Sequence, residues 1–145
     1  MKPINRHVSL LFRMGERFLN RKLAGSGVSS GTAPLLLELR DGERNLVALA
    51  MAVGVDKAYI TRAIQSLEQA GYVVVTPAME DGRSVTVSLT QEGRSTANRV
   101  EDAMRAWVVI VSQGVNQSDL DTVNTVFDQF YANAREFFAN NPKLK

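Results

Sequence analysis

The feature that most constrains the fold is a change of hydrophobic period at Gly71. Before it, over residues 57–70, the apolar side chains recur at helical spacing, at Ile60, Ala63, Ile64 and Leu67. After it, the segment "SVTVSLT" (84–90) alternates polar and apolar residues without an exception, which is typical of a half-buried strand. The two patterns predict a helix that runs directly into short strands.

A second helix is predicted just before this one, over residues 44–53. Its apolar residues also fall at helical spacing, at Leu46, Leu49, Ala50 and Val53. Gly54 can end that helix in a left-handed conformation, and Asp56 can cap the helix that follows. Two short helices joined through Gly54 make a helix-turn-helix.

The strands after Gly71 are predicted to form a hairpin. "YVVVT" (72–76) is the partner of 84–90, and the residues between them include the turn dipeptide Asp81-Gly82. A hairpin directly after a helix-turn-helix is a wing.

Helices are predicted on both sides of this unit. Residues 4–23 are amphipathic and are followed by "GSGVSSG" (25–31), which predicts a flexible break. Thr32 can cap the next helix, with Pro34 in its first turn. We expect Thr90 and Ser118 to cap two long C-terminal helices. Their apolar stripes step by three and four residues, at Ala97, Val100, Met104, Trp107 and Val111 and at Leu120, Val123, Phe127, Phe130, Ala134 and Phe137.

Such a repeat is typical of helices packed nearly parallel along their length. The first helix and the two C-terminal helices carry more apolar surface than a small winged domain can cover. This surplus indicates a dimer interface.

The charge distribution limits what the chain can bind. Residues 1–31 are net +5, residues 32–90 are net −2 and residues 91–145 are net −1. No segment carries the broad basic field of an indiscriminate nucleic-acid binder. Any nucleic-acid contact must therefore rest on a few placed groups.

Those groups lie on the face of 57–70 opposite its apolar stripe. The side chains there are Lys57, Ala58, Thr61, Arg62 and Gln65, with Tyr59 toward the side. An α-helix fits the major groove of DNA, where Arg can pair with guanine, Gln with adenine, and Thr with a base or a thymine methyl. The alternative is an ordinary solvated helix face.

Arg83 is predicted at the tip of the hairpin. An arginine there can enter a narrow minor groove, where the negative potential is greatest. The alternative is a surface cation paired with Asp81 or Glu80, which contributes little. Both can hold, since Asp81 could orient Arg83.

The segment "LVALAMAVGVDKAYITRAIQSLEQAGYV…EDGRSVTVSLTQEG" resembles the MarR (multiple antibiotic resistance regulator) family of winged-helix repressors. The resemblance covers about residues 46–93 and implies a DNA-binding homodimer with a recognition helix and a wing on each subunit. It implies groove or phosphate contacts for Lys57, Tyr59, Thr61, Arg62 and Gln65, and a minor-groove role for Arg83. Gly82, where the family commonly has a basic residue, puts one wing contact in doubt, and Ala58-Tyr59 departs from a pair of small hydroxyl residues.

The predicted fold is therefore mainly α (α+β), a winged helix-turn-helix domain whose N- and C-terminal helices form a dimerisation region. We predict a dimerisation helix and linker over 1–31, the DNA-binding domain over 32–90 and dimerisation helices over 91–145. The resemblance also implies release of DNA by a small phenol or aromatic carboxylate. His7, Leu11 and Trp107 are candidates to line that site. The alternative, which the usual burial of such side chains favours, is that Leu11 and Trp107 are simply core residues.

Other functions find little support in the sequence. There is no cysteine and one histidine, and no metal-binding or nucleophile motif, so we predict no enzyme, metal or cofactor. The longest apolar run, "LVALAMAVGV" (46–55), is too short to cross a bilayer, and we expect a cytoplasmic protein. The competing hypothesis is a winged-helix dimerisation or protein-interaction module without an operator, which the net charge of −2 over 32–90 favours.

Overall fold

The structure, a computed structural model, describes residues 4–78 and 84–142. The helices are α1 (Ile4–Lys22), α2 (Ala33–Glu38), α3 (Leu46–Val53), α4 (Lys57–Gln69), α5 (Gln91–Val111) and α6 (Gln117–Asn140). The strands are β1 (Arg44–Asn45), β2 (Val73–Pro77) and β3 (Val85–Leu89). This helix-rich architecture with one small antiparallel sheet confirms the predicted fold class.

The chain divides into two compact units, one ending at Trp107 and one beginning at Val108. The first unit holds the hydrophobic core, whose largest fully buried side chains are Leu23, Leu35, Leu36, Leu39, Leu49, Ile60, Leu67, Val87 and Val100. Burying a side chain of this size stabilises a fold by about 1.5–3 kcal/mol. Since these residues extend from Leu23, directly after α1, to Val100 in α5, the core joins the helix-turn-helix to the elements around it.

The sheet has the strand order β1-β3-β2 and is antiparallel throughout. The predicted hairpin pairs Val73 with Leu89 and Pro77 with Val85. The strand β1 was not predicted, and α3 begins at Leu46 rather than at residue 44. Arg44 and Asn45 pair with β3 instead, and the Asn45 side chain accepts a hydrogen bond from Ala48 N at 2.8 Å, which caps α3.

Two of the predicted helix caps are confirmed. The Asp56 carboxylate accepts from Tyr59 N at 2.7 Å, and the Thr90 hydroxyl accepts from Gly93 N at 2.9 Å. Gly54 has φ 72°, the left-handed conformation that ends α3. The turn between α3 and α4 therefore has the glycine stop and the aspartate cap that were predicted from the sequence.

Two other predicted caps are wrong. Thr32 has helical dihedral angles and makes no cap bond, and its hydroxyl accepts from Ser29 N at 3.0 Å. The helix α6 is capped by Asn116, whose side chain accepts from Asp119 N at 2.9 Å, so Ser118 already lies within the first turn. At α2, Leu35 N donates to the backbone oxygen of Thr32 rather than to its hydroxyl, and at α6 the helix begins two residues earlier than predicted, so Asn116 caps its first turn.

An ion pair joins the end of α2 to α5. Glu101 accepts from Arg40 at 2.6 Å and from Arg105, one turn along α5, at 3.0 Å. Hydrogen bonds from Arg105 and then Arg40 hold the pKa of the Glu101 carboxyl below its usual value. Glu101 therefore links α5 to the chain just after α2.

The second unit contains the end of α5 and all of α6. No described residue of α6 is buried. Its exposed apolar side chains are Val123, Val126, Phe127, Phe130, Tyr131, Phe137 and Phe138. An apolar surface of this extent is unusual on a monomer and is typical of an association surface.

None of the described helices is long and apolar enough to cross a membrane.

Candidate nucleic-acid interface

The helix α4 is held in place by its cap and by its apolar face. Ile60, Ala63, Ile64 and Leu67 are buried in the core. Asp56 fixes the first turn, and Gly71, with φ 82°, ends the helical path before β2. The opposite face of α4 is therefore presented to solvent in a defined orientation.

That open face carries most of the residues that the sequence analysis predicted to contact DNA. Lys57, Ala58, Arg62 and Gln65 are all exposed. Within residues 4–78 and 84–142, the side chains of Lys57, Arg62 and Gln65 have no hydrogen-bond or ion-pair partner. Their donors are free to bind a ligand, and a guanidinium with free donors suits the paired acceptors of guanine.

Thr61 is half-buried on the same side of α4, and its hydroxyl donates to Lys57 O at 2.8 Å. That bond uses the hydroxyl proton and leaves the oxygen lone pair and the methyl group available. Thr61 can therefore accept a hydrogen bond or touch a thymine methyl.

Tyr59 is placed differently from the other predicted contacts. It is half-buried and packs against the core cluster, and its hydroxyl lies beside Gly31 in the segment between α1 and α2. The structure therefore groups Lys57, Arg62 and Gln65 on one open face and directs Tyr59 toward the protein.

Ser66 is an exposed hydroxyl that the sequence analysis did not single out. It lies one helical turn beyond Arg62, beside Gln65, so it belongs to the same open face. Its spacing of four residues from Arg62 could have identified Ser66 from the sequence as part of this face.

The strands of the wing are described, but its tip is not. Ala78 N donates to Ser84 O at 2.8 Å, and the hydroxyls of Thr76 and Thr86 lie 2.9 Å apart across the two strands. The predictions for Arg83 and Asp81 fall outside the described residues, as does that for Gly82.

The candidate effector residues lie along α1 and α5. Trp107 is half-buried, its ring centroid is 5.5 Å from that of Phe18, and a Cβ at Gly15 would lie 3.0 Å from its Nε1. His7 and Leu11 are exposed, and spacings of four residues place them on the face of α1 that carries Gly15. The close approach of Trp107 therefore depends on Gly15, which the sequence analysis missed because a single helical glycine gives no signal of its neighbour.

No group of three or more side chains of the metal-binding types is close enough to hold an ion within the part of the chain that the structure describes.

The fold and the open face of α4 define a winged helix-turn-helix protein. Residues 39–85 match the model of the MarR family. The HTH-type transcriptional regulator SarZ of Staphylococcus epidermidis is 28% identical over 95 residues, which are 65% of this chain and 62% of SarZ. The chain thus spans less than two thirds of the length of this curated relative.

Solved structures agree over a longer span. A MarR transcriptional regulator from Methanosarcina mazei Go1 has a TM-score of 0.87 and 25% identity, over 94% of this chain and 99% of that one. BpsR of Bordetella bronchiseptica, whose DNA binding is regulated by 6-hydroxynicotinic acid, has a TM-score of 0.80 and 18% identity, over 90% of this chain and 99% of that one.

These matches confirm the resemblance to the MarR family inferred from the sequence, with the family model matching the region of the helix-turn-helix and the hairpin. The matched proteins are transcription regulators, which agrees with the prediction that the chain is not an enzyme.

Proposed function

We propose that this protein is a homodimeric DNA-binding transcriptional regulator, a repressor, that reads a near-palindromic operator. The observation that supports this most is the open face of α4, where Lys57, Arg62 and Gln65 are exposed and have no partner among the described residues. The buried opposite face and the Asp56 cap hold that surface rigidly, so little ordering entropy is lost on binding.

The charge of the domain determines how it binds. Residues 32–90 are net −2, so attraction to the DNA phosphates must come from a few cations and from helix N-termini. Sequence selection then comes from Arg62, Gln65 and Thr61, whose side chains match base edges in the major groove. We propose minor-groove contact by Arg83, oriented by Asp81, on the sequence pattern alone.

The proposed dimer rests on the apolar surfaces of the outer helices. All described residues of α6 are at least partly exposed, and Leu11, Phe12 and Met14 of α1 are exposed as well. A twofold partner would cover such stripes with copies of themselves. Residues 1–31 and 91–145 are accordingly proposed as the dimerisation regions on either side of the domain at 32–90.

The operator hypothesis is tested by selection from a random duplex library followed by footprinting. A twofold dimer presents two copies of α4, so the selected site should contain two inverted half-sites whose centres are about 10 base pairs apart. An asymmetric single half-site occupied by one chain would contradict the proposal.

We also propose an aromatic effector site that includes His7, Leu11 and Trp107. The half-buried Trp107 ring packs over α1, and the exposed His7 and Leu11 continue along that face. A phenol or aromatic carboxylate could stack on such a ring while its polar group remains near solvent. BpsR, which is regulated by 6-hydroxynicotinic acid, supplies the probe.

Because Trp107 is the single tryptophan, its fluorescence reports on this site directly. Titration with 6-hydroxynicotinic acid should change the emission of Trp107 and weaken operator binding over the same concentration range. Leu11→Ala should shift both curves together. DNA release with unchanged emission would place the effector elsewhere, and no response in either signal would reject this compound as the effector.

The competing function is a protein-interaction module without an operator, which the net charge of −2 over residues 32–90 favours. A mobility shift with random duplex, and then with the DNA upstream of the protein's own gene, separates the two hypotheses. Retarded complexes with the upstream DNA support the regulator, and their absence with both duplexes supports the interaction module.

A further inference from the structure

The segment between α1 and α2, residues 25–32, is an ordered part of the first unit rather than an open linker. We call it the α1–α2 loop. Val28 is 6% exposed and belongs to the core cluster, and its N–H donates to Ser26 Oγ at 3.1 Å. Ser30 N donates to Asn20 Oδ1 of α1 at 2.7 Å. The flexible break predicted from "GSGVSSG" is therefore a folded loop attached to the end of α1.

The α1–α2 loop also contacts both ends of α4. Near the C-terminal end, the Tyr72 hydroxyl donates to Ser26 O, and a Cβ at Gly27 would lie 3.7 Å from the Cβ of Ala70. Near the N-terminal end, the Tyr59 hydroxyl lies against Gly31. The loop therefore contacts the chain near both ends of α4, which has 13 residues and is about 20 Å long.

The contact between Tyr59 and Gly31 is specific to one atom. A Cβ at position 31 would collide with the Tyr59 hydroxyl oxygen but would lie 3.7 Å from Cζ, an ordinary contact distance. Gly31 is not among the glycines with positive φ, so alanine can adopt the backbone conformation there. Substitution at Gly31 therefore changes one packing contact, and removal of one oxygen relieves it.

We infer that Tyr59 is a positioning residue, which sets the first turn of α4 against the α1–α2 loop and does not itself contact DNA. Tyr59 N also donates to the capping side chain of Asp56. A shift of Tyr59 therefore moves the first turn of α4, which carries Lys57 and leads to Arg62. The α1–α2 loop thereby controls how the open face of α4 meets the major groove. This inference rests on the proposed function, because it concerns the orientation of the DNA-reading helix.

Three variants of the full-length protein test the inference: Gly31→Ala, Tyr59→Phe and the double variant. Gly31→Ala forces the Tyr59 ring outward, so its affinity for the selected operator should fall several-fold. Tyr59→Phe removes the oxygen and should bind almost like the wild type. The double variant should recover most of the affinity, because the collision is gone. Ser29→Ala is the control for a change in the same loop that adds no bulk.

Each other outcome overturns the inference. If Gly31→Ala binds like the wild type, the contact does not position α4. If Tyr59→Phe alone binds as weakly as Gly31→Ala, the hydroxyl contacts DNA. If the double variant is not restored, the loop acts on α4 through another residue.

Thermal unfolding of the same variants without DNA separates this inference from the proposed function. Gly31→Ala should lower the unfolding midpoint, and Tyr59→Phe should offset that change, so the two effects are not additive. If the wild type binds no duplex, the proposed function fails while this coupling can still be measured. Additive effects on the midpoint would overturn the positioning contact whether or not the protein binds DNA.

Discussion

Replacement of Phe127 and Phe130 in α6 by glutamate should convert the proposed dimer to a monomer. The two side chains are 46% and 45% exposed, and their rings lie 6.1 Å apart in an edge-to-face arrangement. In a twofold dimer both would be buried against the partner, and two buried, unpaired carboxylates per chain cost far more than the contacts provide. We therefore expect complete loss of the dimer at micromolar concentration.

Analytical ultracentrifugation measures this effect directly. The wild type should sediment with the mass of two chains and the double variant with the mass of one. Thr122→Glu with Gln129→Glu is the matched control, because it adds the same charge to exposed polar positions of α6 and should leave the dimer intact.

Removal of the whole of α6 should have a larger effect for the same reason, the loss of the proposed dimer interface. A chain truncated after Gly114 lacks α6 and should be monomeric or insoluble, because Val108, Val109 and Ile110 are exposed. A soluble wild-type monomer at micromolar concentration would contradict the dimer proposal.

Replacement of Arg62 by alanine should weaken operator binding and relax its sequence preference. Arg62 is exposed on α4 with no partner among the described residues, so its donors are available for a base edge. A paired arginine–guanine contact contributes about 1–3 kcal/mol of discrimination, and each dimer has two of them. The loss should appear at one base position in each half-site.

The matched control for Arg62→Ala is Arg17→Ala. Arg17 is also exposed but belongs to α1, so the substitution removes the same charge away from α4. Binding to the selected operator and to its single-base variants should then distinguish lost base recognition from lost charge. An equal loss for all operator variants would assign Arg62 to a phosphate.

The helix α4 and the hairpin could be predicted because the sequence patterns that indicate them are local. The periods of α4 and of the hairpin are each complete within a few residues, and the caps at Asp56 and Thr90 lie directly beside the helices they begin. The hydrophobic period and the neighbouring capping residue determine such elements, with little contribution from distant parts of the chain.

The features that the sequence analysis missed depend on contacts between distant residues. The strand β1 has only two residues, and Arg44 pairs with Val87, far along the chain, so no period marks it. The inward placement of Tyr59 depends on Gly31 in the α1–α2 loop. Thr32 and Ser118 were poor cap predictions because several residues at each helix start can accept the same N–H groups.

The most direct test of the central claim, that the open face of α4 reads DNA, is a series of binding isotherms on one selected operator at increasing salt. With about three phosphate contacts per subunit, the dimer should show a log–log salt slope of about −5, modest for a DNA-binding protein. Arg62→Ala should bind more weakly than both the wild type and Arg17→Ala at every salt concentration. If Arg62→Ala binds like the wild type throughout, the open face of α4 is only a solvated surface, and the protein-interaction hypothesis replaces the regulator.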